Sequence, residues 1–179
     1  MAGADPLRNF ARSVHLVQCG GDRVMAAIEL RRATPSDAAA IRGVTRDAYA
    51  KWVPLIGREP APMTANYEVA VQQHRFDLLL KDGALVALIE TVDEGDRLLI
   101  ENVAVASGFQ GQGLGRMLLA HAEHLARDLG KARIRLYTNQ RFAENIRLYE
   151  RLGYGIDREE DVGLAVAVHM SKAIAPNVS

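Results

Sequence analysis

Residues 100–119 join an apolar strand to a glycine-rich turn and then to an amphipathic helix, and no other stretch constrains the fold as tightly. Ile100-Glu-Asn-Val-Ala-Val105 has the composition of a strand. The turn that follows holds glycines at 111, 113 and 115. Leu114, Leu118, His121, Leu125 and Leu129 then fall on one helical stripe, and Gly130 ends it. Glycine adopts backbone conformations closed to other residues and lets a ligand approach the main chain. The first turn of a helix carries N–H groups without partners and the positive end of the macrodipole. Strand, turn and helix together make a cradle for phosphate or pyrophosphate within an α/β fold.

Three glycine-rich turns compete for this stretch. A P-loop needs Gly-Lys followed by Ser or Thr, whereas Gly115 is followed by Arg116 and Met117. A Rossmann turn needs Gly-x-Gly-x-x-Gly, and the spacing here is Gly-x-Gly-x-Gly. The third pattern, Gln-x-x-Gly-x-Gly, is filled by Gln110, Gly113 and Gly115. Preceded by its strand, it resembles the acyl-coenzyme A loop of the GNAT N-acetyltransferase superfamily. A second stretch, Asn145-Ile-Arg-Leu-Tyr149-Glu-Arg-Leu-Gly153-Tyr154, is similar to the family's later motif, in which a helix carries a Tyr and ends at Gly-Phe or Gly-Tyr. Many members begin that motif Asn-x-x-Ala. Here Phe142 and Asn145 stand at those two places, and Asn139 lies three residues earlier. The resemblance covers roughly residues 28 to 173.

The resemblance implies a GNAT-like α/β fold: a mixed, mostly antiparallel sheet of about seven strands flanked by about four helices. A splayed parallel strand pair, residues 97–106 and 133–138, would hold the cofactor. It also implies transfer of an acetyl group from acetyl-CoA to a primary amine of a small molecule or peptide, directly in a ternary complex. The turn Gln110, Gly111, Gln112, Gly113, Leu114, Gly115 and Arg116 would hold the pyrophosphate. Val103, Ala104 and Val105 would pair with the pantetheine arm as an added strand. Asn145 and Tyr149 would also meet the cofactor, with Tyr149 at the family's general-acid position. A core Tyr packed with Phe142 and Ile146 is the other reading of that residue.

Glu101 is the candidate base. Strict alternation puts it with Val103 and Val105 on one face of the strand and Asn102 on the other. A carboxylate on an apolar face is costly unless it serves a reaction. The other readings are a wet cleft or an Arg partner. The resemblance implies that the variable segment 49–67 walls the acceptor pocket, where Tyr49, Trp52, Arg58, Met63 and Tyr67 are the candidates, with Arg58 suited to an acceptor carboxylate. The same aromatics could instead pack that loop onto the sheet. A non-catalytic acyl-CoA binding or sensing domain and a nucleotide-binding regulatory module are the competing functions.

Composition narrows the field. Lys plus Arg and Asp plus Glu number 22 each among 179 residues, which argues against broad electrostatic binding of nucleic acid or membrane. No apolar run approaches a membrane span. Cys19 has no second cysteine to pair with, which points to a reducing, cytoplasmic setting. No metal-ligand spacing occurs, and His121 and His124 read as helix surface. The chain is expected to be a monomer or a homodimer paired through its last strands.

Residues 1–24 read as a flexible extension and 25–175 as the domain. Within the domain, Ala27–Ala33 reads as a strand and Thr34-Pro35-Ser36-Asp37 as a helix start. One helix is predicted from about Met63 to His74. Asp82-Gly83 predicts a hairpin between 77–81 and 84–91. A helix over 142–152 and two final strands complete the order β α α β β β α β α β β.

Overall fold

The computed structural model describes residues 27–175. The expectation of a flexible extension over residues 1–24 lies outside the described residues. The strands are β1 (Ile28–Arg32), β2 (Arg75–Lys81), β3 (Ala84–Asp93), β4 (Arg97–Val105), β5 (Arg133–Asn139), β6 (Gly155–Asp161) and β7 (Val166–Ala173). The helices are α1 (Ala38–Tyr49), α2 (Val53–Ile56), α3 (Ala61–Thr64), α4 (Tyr67–Gln73), α5 (Leu114–Asp128) and α6 (Ala143–Arg151). The strands form one sheet in the order β1-β2-β3-β4-β5-β7-β6. Every neighbouring pair is antiparallel except β4 and β5. The mixed seven-stranded α/β fold is therefore the one that the sequence implies.

Local chemistry explains most boundaries. Asp82 and Gly83 both take positive φ, 50° and 81°, the geometry of a tight hairpin turn whose twist matches its strands. Thr34 and Asp37 close a reciprocal capping box ahead of α1, and Asp37 also receives both guanidinium nitrogens of Arg31. The single helix expected over 63–74 is two helices, α3 and α4. The chain is extended at Ala65, and the Asn66 side chain accepts the Val69 N–H at 3.2 Å as an N-cap. Two prolines start short helices. Pro54 and Pro62 occupy first turns, where their missing N–H costs nothing, and Gly57 closes α2 at φ 73°.

The sheet buries both faces. Under α5, Leu79, Ile89, Ile100, Leu118, Ile134 and Leu136 form one apolar cluster. Under α1 and α4, Ile41, Tyr67, Phe76, Leu78, Leu88 and Ala104 form the other. Each fully buried aliphatic side chain contributes about 1.5–3 kcal/mol. His121 departs from the helix-surface reading. Its Nε2 lies 3.1 Å from the buried Asp77 carboxylate, joining α5 to β2. Strand β6 forms one edge of the sheet and is exposed along its length. Among the described residues, no helix is long and apolar enough to cross a membrane.

One feature of the sheet positions the site. The parallel pairing of β4 with β5 begins at Arg97–Arg133 and ends at Ile100–Leu136, although both strands continue. At the same height the β3–β4 register slips, with Glu90 opposite Asn102 and Thr91 opposite Ile100. Glu101 is thus the extra residue of a β-bulge, which bends the strand and ends its pairing on the far side.

Candidate active site

Beyond Ile100 and Leu136 the two central strands separate and a cavity of about 650 Å³ opens beside them. The bulge corrects the expected facing of Glu101. Val103 and Val105 pack toward the α5 cluster, as alternation requires. Glu101 instead turns to the opposite face and accepts a hydrogen bond from the Tyr137 hydroxyl at 2.5 Å. Tyr137 follows Leu136, which is buried on the α5 side, so period-two alternation puts Tyr137 on the cavity side. Burial, and then the bond to Glu101, push the Tyr137 hydroxyl well above its ordinary pKa. That hydroxyl is therefore a permanent donor, and it fixes the carboxylate. Among the described residues, no Arg forms an ion pair with Glu101.

Tyr149 reaches the same cavity from α6. Burial raises its hydroxyl to about 12, so it is protonated at neutral pH. Its ring packs at 6.1 Å from that of Tyr154 and against the α5 cluster. Tyr149 thus both packs against the core and lines the cavity. Asn145 lines the cavity one turn earlier on the same helix.

The acceptor candidates divide. Tyr49, Arg58 and Tyr67 line the cavity. Tyr49 donates to Asn102 Oδ1 at 2.9 Å, Asn102 Nδ2 to the Tyr67 hydroxyl at 3.3 Å, and Tyr67 to the Pro62 carbonyl at 2.8 Å. This chain of bonds ties α1, β4 and α4 to the proline segment. Trp52 and Met63 lie outside the lining. Trp52 stacks on Phe142 with ring centroids 4.3 Å apart, behind the wall that Phe142 presents. Met63 is buried, and its carbonyl accepts from Arg46 at 3.0 Å. Both are packing residues, which is the other reading that the aromatic segment allowed.

Sequence reasoning missed Glu90, His74, Tyr137 and Asn102, all of which line the cavity. Glu90 left a signal: it is a carboxylate at the end of the apolar run Leu85–Ile89. His74 left none, because only the end of α4 against β3 brings it there.

The glycine-rich turn is a second candidate site, and its residues fit a pyrophosphate. Gly111 and Gly113 take φ 74° and 83°, and a Cβ built on either meets no atom within 4 Å. Their conformation demands glycine, and the space above them is open to a ligand. The first hydrogen bond of α5 runs from the Met117 N–H to the Gly113 carbonyl at 3.0 Å. The N–H groups of Leu114, Gly115 and Arg116 thus have no acceptor within the helix. Gln110 spans the turn, donating through Nε2 to the Val105 carbonyl at 2.9 Å. Gln112 donates to the Gly108 carbonyl. The Arg116 side chain adds positive charge at the same helix end.

Between cradle and cavity runs the free edge of β4. The Ala106 N–H donates to Val86 on the β3 side, so period two aims the peptide groups of Ala104 at β3. Those of Val103 and Val105 face the split, where an extended amide chain finds a strand edge. Of the three residues expected to pair with pantetheine, Val103 turns both peptide groups to the split, while Val105 turns its N–H there and its carbonyl is held by Gln110. Among the described residues, no group of three His, Cys, Asp or Glu side chains is placed to hold a metal ion.

A split parallel pair beside a glycine turn and a helix start with unpaired N–H groups defines a class of fold, and comparison with known proteins says which. A profile of the Acetyltransferase (GNAT) family matches residues 21–154, and the chain belongs to that family. A streptothricin acetyltransferase of Streptomyces lavendulae is 40% identical over 58 residues, a match spanning 32% of this chain and only 31% of that relative. PaiA N-acetyltransferase of Thermoplasma acidophilum, solved in complex with coenzyme A, shares the fold at TM-score 0.71 and 17% identity, covering 82% of this chain and 99% of that one. The ribosomal-protein-S18-alanine N-acetyltransferase of Escherichia coli does so at TM-score 0.68 and 23% identity, covering 86% and 99%.

Proposed function

We propose that the chain moves an acetyl group from acetyl-CoA to a primary amine of a small molecule or peptide, directly in a ternary complex. One observation carries this reading: Glu101 from β4 and Tyr149 from α6 line one cavity where β4 and β5 part. Family membership supports acyl transfer in general, and the neighbour solved with coenzyme A supports the choice of cofactor.

Acetyl-CoA supplies a thioester carbonyl that an amine can attack. Everything else falls to side chains. An alkyl ammonium has a pKa near 10.4, so presenting it as a neutral amine at pH 7 costs about 4–5 kcal/mol. Glu101 is the group to accept that proton, directly or through a water, and Tyr137 holds its carboxylate in place. Tyr149 offers its O–H to the departing sulfur. Full proton transfer from a phenol at about 12 to a free thiolate near 8.5 is uphill by about 5 kcal/mol. Tyr149 therefore acts by hydrogen-bonding the sulfur as the C–S bond breaks and charge develops on it. The released thiolate takes its proton from solvent, to which Glu101 gives up the proton of the amine. The cradle at Gly111–Arg116 and the free edge at Val103 and Val105 anchor the rest of the cofactor.

Release of free coenzyme A thiol across a panel of amines tests the reading. Turnover with at least one primary amine, lost in Tyr149→Phe while coenzyme A binding persists, is expected. Coenzyme A binding without turnover on any amine would instead favour a binding or sensing domain.

A further inference from the structure

We propose that Glu90, braced by His74, forms an inner cation subsite of this cavity, and that the acceptor carries a second ammonium group besides the one acetylated. The inference rests on the amine-acetyltransferase reading and adds the acceptor's chemical class to it. Glu90 lies on β3 opposite Asn102, is 5% exposed, and lines the cavity. His74 Nδ1 stands 2.6 Å from its Oε1, and among the described residues no Lys or Arg pairs with it.

Asp77, on the neighbouring strand and 3% exposed, makes the contrast. Arg75 grips it at 2.8 Å and His121 approaches at 3.1 Å. Burial alone would raise the Asp77 pKa, but these bonds hold it below the ordinary carboxylate range. For Glu90, burial wins over the bond from His74, the nearby Glu101 charge adds to it, and the pKa is raised. A buried carboxylate is costly unless a cation offsets it. Asp77 has its cation built in, outside the cavity lining. Glu90 faces a space in which a ligand can supply one.

The groups around Glu90 suit an ammonium. His74 and Tyr67 come from the α4 side, Tyr49 from α1, Glu101 from β4 and Tyr137 from β5. The hydroxyls of Tyr49, Tyr67 and Tyr137, bonded to Asn102 and Glu101, put oxygen acceptors beside Glu90. The cationic Arg58 lines the cavity from the exposed proline segment. Glu101 and Glu90 then divide the work: one takes the proton of the reacting amine, and the other stays ionised against the amine that does not react. Because Glu101 adjoins the residue paired with Glu90, the two nitrogens are joined by a short linker.

Putrescine and butylamine, alike in carbon count and different by one ammonium, make the test. The expected result is a kcat/KM for putrescine above that for butylamine, with the ratio falling ten- to hundredfold in Glu90→Gln, the size of a lost charge-assisted hydrogen bond. His74→Gln should lower the ratio by less. In the unsubstituted protein, the putrescine KM should fall as pH rises through the ionisation of Glu90, because only the carboxylate binds the ammonium. An unchanged ratio in Glu90→Gln overturns the proposal. So does an equal loss of kcat for both amines, which would make Glu90 a proton acceptor. If no amine releases coenzyme A, the acetyltransferase reading fails separately. The subsite is then decided by thermal shift: stabilisation by putrescine and not by butylamine, lost in Glu90→Gln, supports it, and equal shifts overturn it.

Discussion

The turn from Gln110 to Arg116 and the wall from Tyr49 to His74 serve opposite halves of the proposed reaction, and they are built by different means. The cradle is main chain. Two glycines at positive φ and the open end of α5 supply N–H groups, and Gln110 pins the turn to the end of β4. The wall is side chain. It draws on α1, α4, β3, β4 and β5, and a chain of hydroxyl and amide bonds holds it in shape. A main-chain site depends on conformation alone, so seven consecutive residues can encode it. A side-chain site depends on which strands are neighbours and where their registers slip.

That difference sets four expectations, from the largest effect to the smallest. Tyr149→Phe should lower kcat by about 10²–10³, the usual worth of one donor aimed at developing charge, with coenzyme A affinity nearly intact. Steady-state kinetics with cofactor titration would show it, and a matching loss of affinity would move Tyr149 to the cradle side. Trp52→Ala should cost about 3–5 kcal/mol of stability by emptying the space against Phe142. Denaturant unfolding measures this, and a loss under about 1 kcal/mol would mean that Trp52 is not a packing residue. Gly113→Val forces a branched side chain into φ 83° and should weaken coenzyme A binding about tenfold, with acceptor KM little changed. Calorimetry with coenzyme A checks it, and unaltered affinity would remove the turn from the site. Gln110→Ala frees the Val105 carbonyl and should weaken binding severalfold, about the worth of one neutral hydrogen bond.

The same contrast explains what could be read from the sequence. Asp82-Gly83 named its hairpin because both residues tolerate positive φ. The Gln110–Gly115 pattern named the cradle for a similar reason. Asn66 hid a helix break, since an Asn is unremarkable inside a helix until its side chain caps the next one. The facing of Glu101 was misjudged because alternation assumes a regular strand, and the bulge is visible only against the β3 register. Glu90 was missed although it is the lone charge of residues 84–92, because its meaning depends on His74, sixteen residues away in sequence and 2.6 Å away in space.

The central claim is that the main-chain amides after β4 and the phenol on α6 address opposite ends of one cofactor. A crystal structure with coenzyme A bound tests it most directly. The account predicts pyrophosphate oxygens on the N–H groups between Gly111 and Arg116, the pantetheine along Val103 and Val105, and the sulfur within hydrogen-bonding reach of the Tyr149 hydroxyl. A pyrophosphate bound elsewhere, or a sulfur on the far side of α6 from that hydroxyl, would contradict it.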